Sequence, residues 1–263
     1  TQSLSLGGLT YGVTNMELTS AYASIANGGT YQKPVLYTKV VDHNGNILLS
    51  NTQKGKRVMK ESTAFLLTDA MKDVITKGTG KSAKLSSSMA VAGKSGTTSN
   101  SYDYWFSGYT PYHTASVWMG YDKNTNFASD NTHKKIWAKV MNEIIKTKQE
   151  QTTDFKKPAD IVKAKVCKES GKLAIKEVCD HDPRGSRVIT EYFEKGTVPT
   201  QTCDIHVAVE VCKTSDKLAT KNCPANKKQR KIYIVRKKGS HGKTADTPYM
   251  LPKKYQSVFC KKH

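Results

Sequence analysis

Apolar and polar positions alternate with two different periods along the first 150 residues, and the changes of period mark out the elements. Between residues 61 and 76, Phe65, Leu66, Ala70, Met71, Val74 and Ile75 recur at helical spacing, and Gly78-Thr79-Gly80 stops the run. Ile136, Trp137, Val140, Met141, Ile144 and Ile145 repeat that spacing and predict a helix over 133–146. Near the start, Met16, Ala21, Ala23 and Ile25 lie on a third helical stretch, with Thr14 as its cap, Glu17 three residues on as a capping box requires, and Asn27-Gly28-Gly29 as its end. Two β-rich runs, 35–41 and 46–50, flank Asp42-His43-Asn44-Gly45, whose Asn-Gly pair supplies the positive φ of a hairpin turn. The runs 90–97, 104–109 and 113–121 predict three antiparallel strands, with Thr110-Pro111 at the second turn.

Beyond residue 146 this regularity stops. The polar stretch 146–158 reads as a linker, so residues 1–150 and 151–263 are expected to form separate parts. The second part contains an internal repeat: Val166-Cys167-Lys168-Glu169-Ser170-Gly171-Lys172-Leu173-Ala174 matches Val211-Cys212-Lys213-Thr214-Ser215-Asp216-Lys217-Leu218-Ala219, and each copy closes on a cysteine, Cys179 or Cys223. Two copies are too few for a solenoid and read as two small β units, with Ser-Gly or Ser-Asp making the turn.

Composition sharpens the division. The formal charge is +20, with 17 Lys+Arg against 10 Asp+Glu in residues 1–150 (+7) and 25 against 12 in residues 151–263 (+13). A hydrophobic fraction of 37% excludes a wholly disordered chain, and no apolar run is long enough for a membrane span. The residues from Pro224 onward hold 12 Lys+Arg and one acid, Asp246, with aromatic residues interleaved. No RNA- or DNA-binding motif accompanies them, so nucleic acid is not expected, and the open readings are a plain solvated surface or contact with an anionic wall polymer or lipid.

All six cysteines, Cys167, Cys179, Cys203, Cys212, Cys223 and Cys260, lie in the second part. The even count in an otherwise cysteine-free chain favours disulfides and an extracytoplasmic setting. The repeat makes Cys167–Cys179 and Cys212–Cys223 equivalent pairs and leaves Cys203 with Cys260. A second chemistry stays open: Cys179, His181, Cys203 and His206 offer two thiolates and two imidazoles to one zinc ion. The bridges account for all six cysteines more simply, and neither a metal nor a cofactor is expected.

The other candidate chemistry sits on Gly93-Lys94-Ser95-Gly96-Thr97-Thr98, a strand with a cation, hydroxyls and a glycine that lets another backbone approach. Taken alone it is an ordinary edge strand. With Leu9-Thr10-Tyr11-Gly12-Val13-Thr14, Ala21-Tyr22-Ala23, Ala26-Asn27-Gly28-Gly29, Thr76-Lys77-Gly78-Thr79-Gly80 and Tyr104-Trp105-Phe106-Ser107-Gly108-Tyr109-Thr110-Pro111, in collinear order, it resembles the class A penicillin-binding proteins, which polymerise and cross-link bacterial peptidoglycan.

That resemblance implies an α+β fold: the C-terminal portion of a transpeptidase domain, an antiparallel sheet flanked by helices; the cysteines and the repeat add the expectation of a small disulfide-linked β-rich tail after it. It implies a D,D-transpeptidase acting through a serine acyl-enzyme, with peptidoglycan stem peptides as substrate and β-lactams as inhibitors. Of the S-x-x-K, S-D-N and K-T-G elements of penicillin-recognising enzymes, this strand supplies the third, with Ser95 in the Thr position. Lys94 and Thr97 become catalytic candidates, and Lys94, Ser95, Gly96, Thr97 and Thr98 substrate-binding ones. The Thr97 N–H is expected to donate to the oxyanion.

Ser240-His241-Gly242-Lys243 and Ser129-Asp130-Asn131 also fit the first two elements, but both follow the Lys94 strand, whereas in the family both precede it. The serine and the membrane anchor are therefore expected in an N-terminal portion of the same protein that this chain does not include, and this chain alone is expected to be inert, on the extracytoplasmic face of a bacterial membrane. The alternative is a non-catalytic secreted wall-binding module.

Overall fold

The computed structural model describes residues 2–236 and 244–263 and divides the chain into two compact units, Thr1–Asp160 and Ile161–His263. In the first unit, helix α1 (Asn15–Ala26) begins as its sequence requires: the Thr14 hydroxyl accepts from Glu17 N–H at 3.2 Å, and the Glu17 carboxylate accepts from Thr14 N–H at 2.8 Å. Strand β1 (Thr30–Tyr31) follows, then the predicted hairpin of β2 (Lys39–Val41) and β3 (Ile47–Ser50). Its turn is held by Asp42, whose carboxylate accepts from the N–H groups of Asn44 and Asn46, with Gly45 at φ 85°. Strand β4 (Lys56–Arg57) pairs with β1, and helix α2 (Glu61–Thr76) has the bounds expected from its apolar spacing.

The centre of the unit is the antiparallel sheet β5 (Ala92–Thr97), β6 (Asp103–Tyr109) and β7 (Thr114–Gly120), in that order. Helix α3 (Thr132–Lys148) places Trp137 against Phe106 on β6, with ring centroids 5.2 Å apart. Three positions along β6, Tyr109 packs instead with Met71 of α2 and with Tyr22 and Ile25 of α1. Residues an odd number apart on a strand face opposite ways, so helices cover both sides of this sheet. Trp137, Phe106, Tyr109 and Met141 have no solvent exposure.

The expected linker is not free chain. Lys146 and Lys148 extend α3, Phe155 stacks edge-on to Tyr109 at 5.4 Å, Thr153 O accepts from Ala90 N–H at 3.1 Å, and Asp154 pairs with Lys72 at 2.7 Å. These contacts hold the segment to the first unit, and the division of the chain falls after Asp160 rather than at residue 150.

In the second unit, β8 (Ile161–Cys167) pairs antiparallel with β9 (Val188–Glu194). Strand β10 (His206–Cys212) lies between β11 (Lys217–Leu218) and β12 (Lys228–Ile234), and a short helix α4 (Lys254–Ser257) follows. The sequence repeat is a structural one. Gly171 and Asp216 occupy the same left-handed turn position, and Ala174 N–H donates to Lys165 O as Ala219 N–H does to Glu210 O.

The expected disulfides do not form: all six cysteines are free and buried. Cys203 pairs back onto the first copy, its N–H donating to Leu173 O, while Cys260 does the same on the second, to Leu218 O, each at 2.8 Å. Each copy thus gathers its own third cysteine, which sequence order alone does not reveal. Strand β10 separates the two groups by six residue steps, about 20 Å. A bridge between Cys203 and Cys260 requires Cα atoms within about 7 Å.

Candidate active site

Strand β5 is the open edge of its sheet among the described residues, and its outer half carries the Lys94 motif. The strand is buried at Ala92 and Gly93 and emerges at Lys94. Gly93 is required by packing: a Cβ there would lie 2.8 Å from Ser107 O and 2.9 Å from Phe106 Cζ. Gly96 is less constrained, with only Trp105 Cβ near, at 3.4 Å.

Thr98 N–H donates across the ladder to Asp103 O at 3.2 Å. N–H groups alternate in direction along a strand, so those of Ser95 and Thr97 point away from β6, to the open edge. An extended peptide laid along β5 meets these donors.

The motif side chains divide by role. Lys94 is exposed, and its Nζ donates to Ser95 O at 2.7 Å. The Ser95 hydroxyl shares a 2.8 Å hydrogen bond with that of Thr79. Thr97 is exposed at the strand end. Thr98 does something else: its hydroxyl accepts from Tyr102 N–H at 3.1 Å and Asp103 N–H at 3.0 Å, closing the β5–β6 turn with Ser101 at φ 54°. Thr98 therefore shapes the strand end, and its hydroxyl is already occupied.

Two residues beyond the sequence reading join this group. Thr79, in the loop after α2, positions the Ser95 hydroxyl. Lys134, on the first turn of α3, is buried, and its ammonium pKa is pushed down by that burial and by the nearby Lys94 charge. Like charges that raise one another's cost favour an anionic ligand nearby. The Thr76-Lys77-Gly78-Thr79-Gly80 run carried a signal for Thr79; nothing in the sequence singles out Lys134.

The competing matches fall away. Ser129-Asp130-Asn131 is spent on starting α3: Ser129 Oγ bonds His133 Nδ1 at 3.2 Å, and Asn131 Oδ1 accepts from Lys134 Nζ at 2.7 Å. Asp130 takes Lys135 at 2.8 Å and the Thr132 hydroxyl, hydrogen bonds that lower its pKa to about 2. Ser240 and Lys243 lie outside the described residues.

Comparison with known proteins places the chain in a family. Residues 1–146 match the penicillin binding protein transpeptidase domain, and residues 157–208 match the penicillin-binding protein 1A C-terminal domain. The chain belongs to the penicillin-binding protein transpeptidase family.

Penicillin-binding protein 1A of Clostridium botulinum is 36% identical over 256 residues, which is 95% of this chain and 30% of that protein. Penicillin-binding protein 1A/1B of Bacillus subtilis is 32% identical over 218 residues, 76% of this chain and 23% of that protein. The chain thus spans about a third or less of the length of these relatives. The crystal structure of penicillin-binding protein 1A from Haemophilus influenzae superposes with a TM-score of 0.57 at 24% identity, covering 73% of this chain and 33% of that one, a likeness of fold. In this fold β5 is the edge strand of its sheet among the described residues, and β6 and β7 behind it are fixed by the Ser107–Ser116 hydroxyl pair at 2.8 Å and by Trp118 Nε1 donating to Asp103 at 2.8 Å.

Proposed function

We propose that this chain forms the substrate-binding wall of a peptidoglycan D,D-transpeptidase that acts through a serine acyl-enzyme. The observation that carries the reading is the Lys94-Ser95-Gly96-Thr97 run on an open strand edge, with Thr97 N–H directed outward and Lys94 and Lys134 supplying positive charge beside it. The stem peptide pairs with the β5 edge. The hydroxyls of Ser95 and Thr97 and the Lys94 ammonium hold its terminal carboxylate.

The serine of the family's S-x-x-K element attacks the penultimate D-alanine carbonyl. Thr97 N–H donates to the oxyanion that forms, the terminal D-alanine departs with a proton, and an amine of a neighbouring stem then takes the acyl group. A β-lactam follows the first half of this course and remains bound. In the family that serine precedes the Lys94 strand, so the chain alone is inert and acts together with an N-terminal portion of the same protein on the outer face of a bacterial membrane. No helix among the described residues is long and apolar enough to cross a membrane. The +13 second unit suits the anionic polymers and lipids found there.

A fluorescent penicillin tests the reading. The isolated chain is expected to form no covalent adduct, and mixing it with a segment bearing the S-x-x-K serine is expected to restore labelling on that serine. An adduct on any serine of this chain would contradict the assignment.

A further inference from the structure

The second unit holds a feature that transpeptidation does not use. The metal-ligating atoms of Cys167, Cys179, Cys203 and His206, all buried, lie within 4.8 Å of one another. His206 Nδ1 is 3.4 Å from Cys167 Sγ and 3.3 Å from Cys203 Sγ. Four ligands at the corners of a zinc tetrahedron, with bonds of about 2.3 Å to sulfur and 2.0 Å to nitrogen, stand about 3.5–3.8 Å apart. Three thiols also leave one unpaired in any scheme of bridges within the group.

The imidazole is set for ligation. Its Nε2 is 2.6 Å from Asp182 Oδ2, which fixes Nε2 as the protonated nitrogen and turns the Nδ1 lone pair toward the three sulfurs. Asp182 is itself held by Arg184, through Nε at 2.9 Å and Nη2 at 2.6 Å. Carboxylate, histidine and metal in that order form the usual outer support of a zinc site. The zinc set considered from sequence contained three of these ligands. His181 is the exception: it is exposed, bonded to Asp180, and Cys167 takes its place.

The second copy repeats the arrangement. Cys212, Cys223 and Cys260 converge within the same 4.8 Å limit. Backbone N–H groups of Ile175 and Thr220 donate to Cys179 Sγ and Cys223 Sγ, each at 3.3 Å, and those of Ile205 and Lys262, each two residues past a cysteine, donate to Cys203 Sγ and Cys260 Sγ. Such N–H donors favour the thiolate a metal requires. In the first copy the histidine lies three residues after Cys203; three residues after Cys260 lies His263. The structure leaves His263 exposed, outside the thiol group.

We propose that the second unit is a twin zinc module: one site of Cys167, Cys179, Cys203 and His206, and a second of Cys212, Cys223, Cys260 and His263, the last swinging in when metal binds. Each site takes one Zn²⁺, loses three thiol protons and keeps its imidazole neutral. All four positions are filled by protein, so the ions are structural. They hold together a unit in which, among the described residues, six of the twelve buried hydrophobic residues are the cysteines themselves.

The test is elemental analysis and mass spectrometry of the full chain, purified under reducing conditions without chelator. Two zinc ions per chain are expected, with a denatured mass corresponding to six free thiols. Three disulfides and no metal would overturn the proposal, as would six free thiols without zinc. Cobalt(II) titration assigns the ligands through its thiolate charge-transfer and tetrahedral bands. His263→Ala, a change at an exposed residue, should leave the first site unaltered and perturb the bands of the second; two unaltered sites would remove His263 from the set. Asp182→Asn should weaken metal binding at the first site about 10–100-fold, and unchanged affinity would contradict the orienting role assigned to Asp182.

Discussion

The two units solve the same problem with different means. Residues 1–160 bury Trp137, Phe106, Tyr109, Met141 and a surround of Ile, Leu and Val without a single cysteine, which is the ordinary hydrophobic route to a fixed sheet. Residues 161–263 bury Ile161, Val166, Val178, Val211, Ile234 and Tyr255 beside their six cysteines, and add a network in which Arg184 and Arg236 bind Asp182 and Asp246. The contrast teaches where each unit is vulnerable: the first to a lost side-chain volume, the second to a lost charge or ligand.

The largest effect is expected at Trp137. Replacement by Ala empties the centre of the first core and leaves Ala115 O without the 2.9 Å bond from Trp137 Nε1, at a cost of about 3–5 kcal/mol. Hydrogen exchange read by mass spectrometry should show lost protection in residues 1–160 and unchanged protection in 161–263. Loss in both units would break the comparison.

Arg184→Ala is the counterpart. It leaves Asp182, whose side chain is fully buried, without its main counter-charge, and should cost the second unit about 3 kcal/mol. Denaturant unfolding followed by exchange should localise that loss to 161–263; an effect below about 1 kcal/mol would show that the network is peripheral.

Tyr109→Phe sharpens the account within the first unit. The Tyr109 hydroxyl makes a buried 2.8 Å bond to Thr68 Oγ1, which also donates to Ala64 O at 2.8 Å. Burial pushes the phenol pKa well above the ordinary range, so the group stays neutral. Removing the hydroxyl should cost about 1 kcal/mol, measured as a small shift in the unfolding midpoint, while Phe keeps the ring contact with Phe155.

The sequence made the local devices legible. Thr14 and Glu17 announce the start of α1, Asn44-Gly45 the hairpin, and the apolar spacing of 61–76 the whole of α2, because each depends on neighbours in the chain. The Lys94 strand was legible through its collinear resemblance. What escaped depends on contacts between distant residues. Thr98 turned out to close its own turn, Thr79 to hold Ser95, and Lys134 to lie beside Lys94, none of which follows from spacing. The cysteines were misread for the same reason. The repeat alone leaves Cys203 with Cys260, whereas the bridges Leu173 to Thr202 and Leu218 to Phe259 return each to its own copy of the repeat. The recurring Cys-x-x-His at 203–206 and 260–263 was the available signal.

The functional claim rests on Lys94, and the second-order rate of acylation by a β-lactam tests it most directly. In the enzyme completed by a segment carrying the S-x-x-K serine, Lys94→Ala removes the exposed cation from the strand edge but no packing contact. The rate should fall far more than the roughly tenfold expected from one modest hydrogen bond, while Thr97→Val, which keeps the backbone N–H, should act mainly on binding. An unchanged rate for Lys94→Ala would show that β5 is not the wall of the active site.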